Sequence, residues 1–193
     1  MKRFLAAILV LAACAYGCFA EGTSSAGFQF GIGSGYIFYG DSGTKNLVAD
    51  MNSAGFSRFI FGGDAGIYVP FAENVQFIAE TELLSDLFWK GGQHCYFFDY
   101  AFLGGLKVFP GLGGLSFSVA YALGRRSGII DIDNREATSS STDWGNGFKF
   151  CTEYDMKYGT GGIAPVIGAY WRHMPRGGSS DNTISVYFRF VFR

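Results

Sequence analysis

Apolar and polar residues alternate along most of the chain, and the alternation is cleanest at its end. From Thr183 to Arg193, Ile184, Val186, Phe188, Phe190 and Phe192 share one parity. Thr183, Ser185, Tyr187, Arg189 and Arg193 share the other, with Val191 the one apolar residue among them. A period of two places these sets on opposite faces of a β-strand. Seven earlier segments read the same way: 27–39, 57–69, 75–89, 95–108, 115–126, 148–158 and 163–173. The 163–173 segment is the weakest, interrupted by Pro165. Each run is about 11 residues or longer, enough to cross a bilayer at a tilt near 45°.

The connections alternate in length. Residues 70–74, 110–114 and 159–162 are tight and rich in Gly, Pro and Asn, which favour turns. Residues 41–56 and 127–147 are long and polar, 174–182 is intermediate, and 90–94 is short. An even number of strands, with short turns at one end and longer loops at the other, predicts an all-β fold. The expected architecture is an eight-stranded antiparallel transmembrane β-barrel with its long loops outside the cell. The interior of such a barrel only just holds side chains. The bulky face carries most of the Phe, Tyr, Leu, Ile and Val, too much volume for that interior. The opposite face is rich in Gly, Ala and Ser and would fit. The aromatic face is therefore expected to meet lipid, which argues against the alternative of this size and strand number, a soluble lipocalin-like barrel or sandwich. Tyr36, Phe38, Trp89, Tyr96, Phe148 and Trp171 would form the outer aromatic girdle, and Phe28, Phe77, Tyr158 and Phe192 the inner one.

Composition agrees. Charged residues make up 16% of the 193, against about 25% in soluble domains. Aromatics make up 18%, and the formal net charge is −1, so bulk electrostatics gives no reason to expect nucleic-acid binding. Residues 1–20 read as an export signal: Lys2 and Arg3, then an apolar run from Phe4 to Ala13, then Cys18-Phe19-Ala20. Cleavage after Ala20 would start the barrel domain, residues 21–193. A rival reading takes Leu11-Ala12-Ala13-Cys14 as a lipobox, with a lipid on Cys14. Cys95 and Cys151 lie on different predicted strands and are expected to be free thiols. No cysteine or histidine pattern suggests a metal or cofactor site.

On these features the chain resembles the small eight-stranded outer-membrane proteins, the class that includes the OmpA transmembrane domain, OmpX and the OmpW-like proteins. The resemblance covers roughly residues 25–193 and rests on pattern rather than on a diagnostic string. It implies residence in the outer membrane of a diderm bacterium, with outer-membrane lipid as surroundings. It also implies recognition of the C-terminal strand by the barrel-insertion machinery. Many members end on Phe, whereas here Arg193 follows Phe192.

Parity points a set of charges inward: Asp64, Glu80, Glu82, Asp86, Asp99, Glu153 and Asp155, with Arg58, Lys107, Arg126, Lys149, Lys157, Arg189 and Arg193. Buried charge is costly unless paired, so a salt-bridged, non-enzymatic lumen is expected. A second reading is a cation-preferring path for small solutes, with Glu80, Glu82, Glu153 and Asp155 near mid-depth. An OmpW-like passage for small hydrophobic molecules would use Ile37, Ile60, Phe88 and Phe97 in an apolar upper portion. A third reading is a lipid A-modifying barrel enzyme. It would draw on His94 or on His173 with Ser179, Ser180 and Asp181, although the His-x-Ser-Asn string of the deacylases is absent. Asp131, Asp133, Asn134 and Glu136 supply oxygen ligands for Ca²⁺, but lack EF-hand spacing. Loops 41–56 and 127–147 are the places expected to meet an extracellular ligand.

Overall fold

The computed structural model describes residues 26–132 and 137–193. The export signal and Cys14 lie outside the described residues, as do Asp133, Asn134 and Glu136. Eight long strands form the wall: β1 (Gly27–Phe38), β2 (Ser57–Ala72), β3 (Val75–Lys90), β4 (Gln93–Val108), β5 (Leu115–Asp131), β7 (Gly145–Asp155), β8 (Ile163–Arg176) and β9 (Ser179–Phe192). A short β6 (Thr138–Ser141) pairs only with the far end of β5. One helix, α1 (Ser42–Ser53), joins β1 to β2. Every pairing is antiparallel, and wall strands consecutive in the chain are neighbours in space. Strand β9 returns to β1, with Phe28 opposite Phe192 and Phe38 opposite Asn182, and so closes the barrel.

The two faces divide as the alternation requires. Ile32 is 57% exposed, Phe117 50% and Val186 63%, all pointing outward, while inward-pointing Gln29 and Asp99 are 0% exposed. Large apolar side chains cover the outside; full burial of one is worth about 1.5–3 kcal/mol, and about half of that is left for lipid to supply, because neighbouring side chains already cover the rest. A lipocalin-like barrel would have the reverse arrangement. The narrow interior admits bulky ions only because glycines line it elsewhere. A Cβ placed on Gly147 would stand 2.0 Å from the His173 carbonyl oxygen, so any larger residue there pushes β7 away from β8.

The end bearing the termini has the tight turns. At the other end the expected loops are more ordered than their polarity suggests. Segment 41–56 holds α1. Asp41 caps its N-terminus, its Oδ1 accepting the Thr44 N–H at 2.7 Å. Lys90 Nζ donates to the Ala54 carbonyl at the helix's other end, 2.5 Å away. Segment 127–147 is not simply a loop: β5 continues to Asp131, and β6 folds back along it. Segment 174–182 is a tight hairpin turned by Gly177 and Gly178, both at positive φ. Pro165 does not break β8. Its carbonyl accepts the Met156 N–H, so its missing N–H faces the same edge, beyond the last β7–β8 pair at Asp155 and Val166.

Beneath α1, Val48 and Met51 pack onto Ile37, Tyr39, Ile60, Leu84, Phe88, Cys95 and Phe97. The four residues expected to make an apolar upper lumen are therefore there, but the helix fills the space they enclose. Cys95 and Cys151 are free thiols.

Candidate functional site

The lumen is occupied by one chain of ion pairs in which bases and acids alternate. Near the termini Lys107 meets Glu153 at 2.5 Å, and Glu153 meets Arg189 at 2.6 Å. Arg189 also holds Asp64 at 2.8 Å and Glu80 at 3.1 Å. Lys149 bridges Glu80 at 3.2 Å and Glu82 at 2.7 Å. Arg172 bridges Glu82 at 2.9 Å and Asp99 at 2.8 Å. Arg176 bridges Asp99 at 2.8 Å and Asp181 at 2.7 Å. Arg126 then joins Asp181 to Asp41, the helix cap, 2.5 Å away. The chain thus runs from near the terminal end of the barrel to the helix over its mouth. Every internal member touches two charges of opposite sign. That is the condition under which buried ions are tolerated, because each internal member has opposite charges on both sides to offset its desolvation.

Three tyrosines tie the chain together. Tyr187 donates to Glu153 at 2.5 Å, and its ring lies 4.8 Å from the Arg189 guanidinium. Tyr170 donates to Glu82 at 2.6 Å and carries Lys149 4.4 Å above its ring. Tyr39 donates to Asp86 at 2.6 Å, while Arg126 sits 4.8 Å over its ring. Each ring thus offers its negative face to a base, and its hydroxyl proton to an acid. Asp86 also takes a two-pronged contact from Arg58, at 2.9 and 2.7 Å. Gln29 donates to Glu80 at 2.6 Å.

The structure places Arg58, Asp64, Glu80, Glu82, Asp86, Asp99, Lys107, Arg126, Lys149, Glu153 and Arg189 in these contacts. Two positions need correction. Strand β7 ends at Asp155, so the alternation stops there and Lys157 lies exposed in the following turn. Asp155 is not at mid-depth; it sits at the terminal end of β7, where Arg193 pairs with it. Arg193 also donates to the carbonyls of Lys157 and Thr160. Members not anticipated are Gln29, Asp41, Arg172, Arg176 and Asp181, with Tyr39, Tyr170 and Tyr187. Parity alone would have found Tyr170 and Arg172, which oppose the outward Ala169 and Trp171. Arg176 and Asp181 were hidden because their hairpin reads as a loop.

Outside, Tyr36, Phe38, Trp89, Phe148, Trp171, Phe28 and Tyr158 are exposed, and Tyr96, Phe77 and Phe192 half-buried. The enzyme candidates are not brought together. His173 lies on the outer wall against Trp171, its Nδ1 2.9 Å from the Asn182 side-chain oxygen. Asp181 points inward to Arg126 and Arg176, and the Ser179 hydroxyl donates to the Arg176 carbonyl. His94 is 3.7 Å from Asp131. Among the described residues, no group of three metal-binding side chains converges.

Asp41, above the wall, has its carboxyl held below the usual range. Partial burial raises it, but the Thr44 hydrogen bonds and Arg126 together outweigh that.

No protein-family model and no curated protein matches the sequence. Solved structures do match the fold. The attachment invasion locus protein Ail of Yersinia pestis, solved with the heparin analogue sucrose octasulfate, superposes with a TM-score of 0.58 at 10% identity, over 86% of this chain and 97% of that one. Neisserial surface protein A superposes with a TM-score of 0.50 at 12% identity, over 88% and 98%. Both are small outer-membrane barrels. The likeness is one of fold: this chain, like them, closes into a small β-barrel.

Proposed function

We propose that the protein is a closed, non-enzymatic barrel of the outer membrane whose work is done at its extracellular mouth. The observation that carries this reading is the unbroken alternating ion chain, capped by α1. A solute path needs a continuous polar gap. Here the interior charges are paired with one another, and the upper lumen is filled by Val48, Met51 and the apolar residues beneath them. The outward aromatic belt supports residence in lipid, with the exposed Tyr and Trp residues near the two interfaces as girdles. The C-terminal strand pairs on both edges, as the last strand of a barrel delivered by the insertion machinery would. The surfaces left to meet a partner are α1 and the β5–β6 and β8–β9 hairpins.

The mouth carries both signs of charge rather than a basic patch. A sulfated ligand like the one crystallised with Ail is therefore not the expected partner. The experiment is single-channel recording of the refolded chain from Glu21 onward in a planar bilayer. The expected result is silence from protein shown to be inserted. Stable cation-selective steps would refute the closed lumen and return attention to Glu80, Glu82 and Glu153.

A further inference from the structure

The outward positions of the eight wall strands carry almost no charge. Among the described residues they hold a single Lys, Arg, Asp or Glu, Arg125 on β5, apart from Asp131 at the far tip of the same strand. Asp131 has a partner in His94. Arg125 makes no ion pair among the described residues; its Nε is enclosed without a hydrogen-bond partner, while its two Nη nitrogens are left open. We propose that Arg125 anchors a binding site for an anionic membrane lipid, held by its headgroup phosphate. The inference rests on the wall facing lipid and not on the lumen being closed.

Depth decides what this guanidinium meets. Arg125 stands ten residues along β5 from Leu115, the first of the strand. That is about 33 Å of strand. At a tilt of 35–45° it is about 23–27 Å of height, against an apolar band about 25 Å tall. Arg125 therefore reaches the level where acyl chains give way to headgroups. A charge on the lipid face is costly at mid-depth and tolerated at this level. The anions a bilayer presents there are headgroup phosphates.

The neighbours shape the site. Arg125 lies opposite Tyr100 of β4. The Trp144 ring, from the residue before β7, crosses β5 to meet Tyr100 edge-on at 5.8 Å and to stack on Phe102 at 6.3 Å. These rings flank the arginine stem and leave the residue half-buried. Asn146 supplies a second donor. It opposes Leu123, so it is diagonal to Arg125 across β5 and β7, at a spacing of about 7–8 Å that one phosphate can bridge. Asn146 is exposed and makes no hydrogen bond among the described residues. The guanidinium fork takes two phosphate oxygens, and the amide N–H donates to a third. Asp143, beside Trp144, does not compete. Its carboxylate turns to the β8–β9 turn, where its Oδ2 would stand 3.1 Å from a Cβ placed on Gly177.

The test uses protein purified in detergent from cells expressing the full chain, with bound lipid counted by native mass spectrometry. The probes are phosphorylated lipid A, the same lipid A stripped of phosphate, phosphatidylglycerol and inorganic phosphate. The expected result is retention of a phosphorylated lipid and loss of the stripped one. Arg125→Gln should weaken retention by about tenfold or more, because it removes a charge-assisted hydrogen-bonding pair. Arg125→Lys should weaken it less, keeping the charge but losing the fork. Asn146→Ala should also weaken it. Both side chains face outward without protein partners, so the variants fold, checked by their unchanged heat-modifiable migration. Preference for lipid A would assign the site to a phosphomonoester, and preference for phosphatidylglycerol to a phosphodiester. Displacement of the lipid by an equal concentration of inorganic phosphate would assign the site to the free ion and overturn a lipid site. Equal retention of the stripped lipid A, or undiminished retention by Arg125→Gln, would overturn it as well. Conducting steps in the bilayer recording would refute the closed lumen and leave this site standing.

Discussion

Replacing Lys149 by Met tests whether the lumen ions act as one dry chain. The ammonium is 1% exposed and is shared between Glu80 and Glu82. Its loss leaves two buried carboxylates with one base fewer. Removing one partner of a buried pair costs about 3–5 kcal/mol. The alternation softens the loss, because Glu80 keeps Arg189 and Gln29 while Glu82 keeps Arg172 and Tyr170. The low end, about 3 kcal/mol, is therefore expected. Glu82→Gln should cost a similar amount, since it strands Lys149 and Arg172 with one acid each. The double variant restores neutrality, so its loss should fall short of the sum of the two by about 1–3 kcal/mol, within the usual range for coupled neighbours. The assay is equilibrium urea unfolding in lipid vesicles, followed by tryptophan fluorescence. With a slope of about 1–3 kcal/mol per molar urea, a 3 kcal/mol loss moves the midpoint by about 1–3 M. Single losses below about 1 kcal/mol, the size of exposed pairs, would mean that the lumen is wet. Strict additivity of the two losses would mean that the charges do not act together. Either result would refute the reasoning.

Acid should loosen the helix before the wall. The Asp41 carboxyl is held below its ordinary value of 3.8, so its contribution is present above that value and is lost as pH falls through the lower folded value. Hydrogen exchange of the α1 amides, corrected for the intrinsic rate, should quicken below about pH 4 relative to the strands. Asp41→Asn should remove that extra pH dependence, and an unchanged profile in the variant would count against the latch. Gly147→Val should destabilise the barrel by about 3 kcal/mol or more, since overpacking here meets backbone rather than a movable side chain. Unfolding of the variant in the same vesicles checks it, and wild-type stability would show that β7 and β8 can separate without penalty.

The wall was legible in the chain before any coordinates. Strand period, side-chain volume and low charge decide which face meets lipid, and these are local quantities that survive without coordinates. Residues such as Ile32, Phe117 and Val186 lie where alternation puts them, and the inward acids are mostly those that parity selects. The ends of the strands were less legible. Asp155 and Lys157 have the same parity, but only the first is still on the strand. Pro165 and Pro175 look like breakers, yet pairing with β9 carries β8 past both. The partners were decided by the tertiary structure alone. Arg172 meets Asp99, Arg126 meets Asp41, and Lys149 rests on Tyr170 across chain separations that no local pattern encodes. Closure of the ring is what brings these strands face to face. The mouth depends on it most, because α1 is held by an acid on one connection, a base on a distant strand and an apolar patch contributed by several strands.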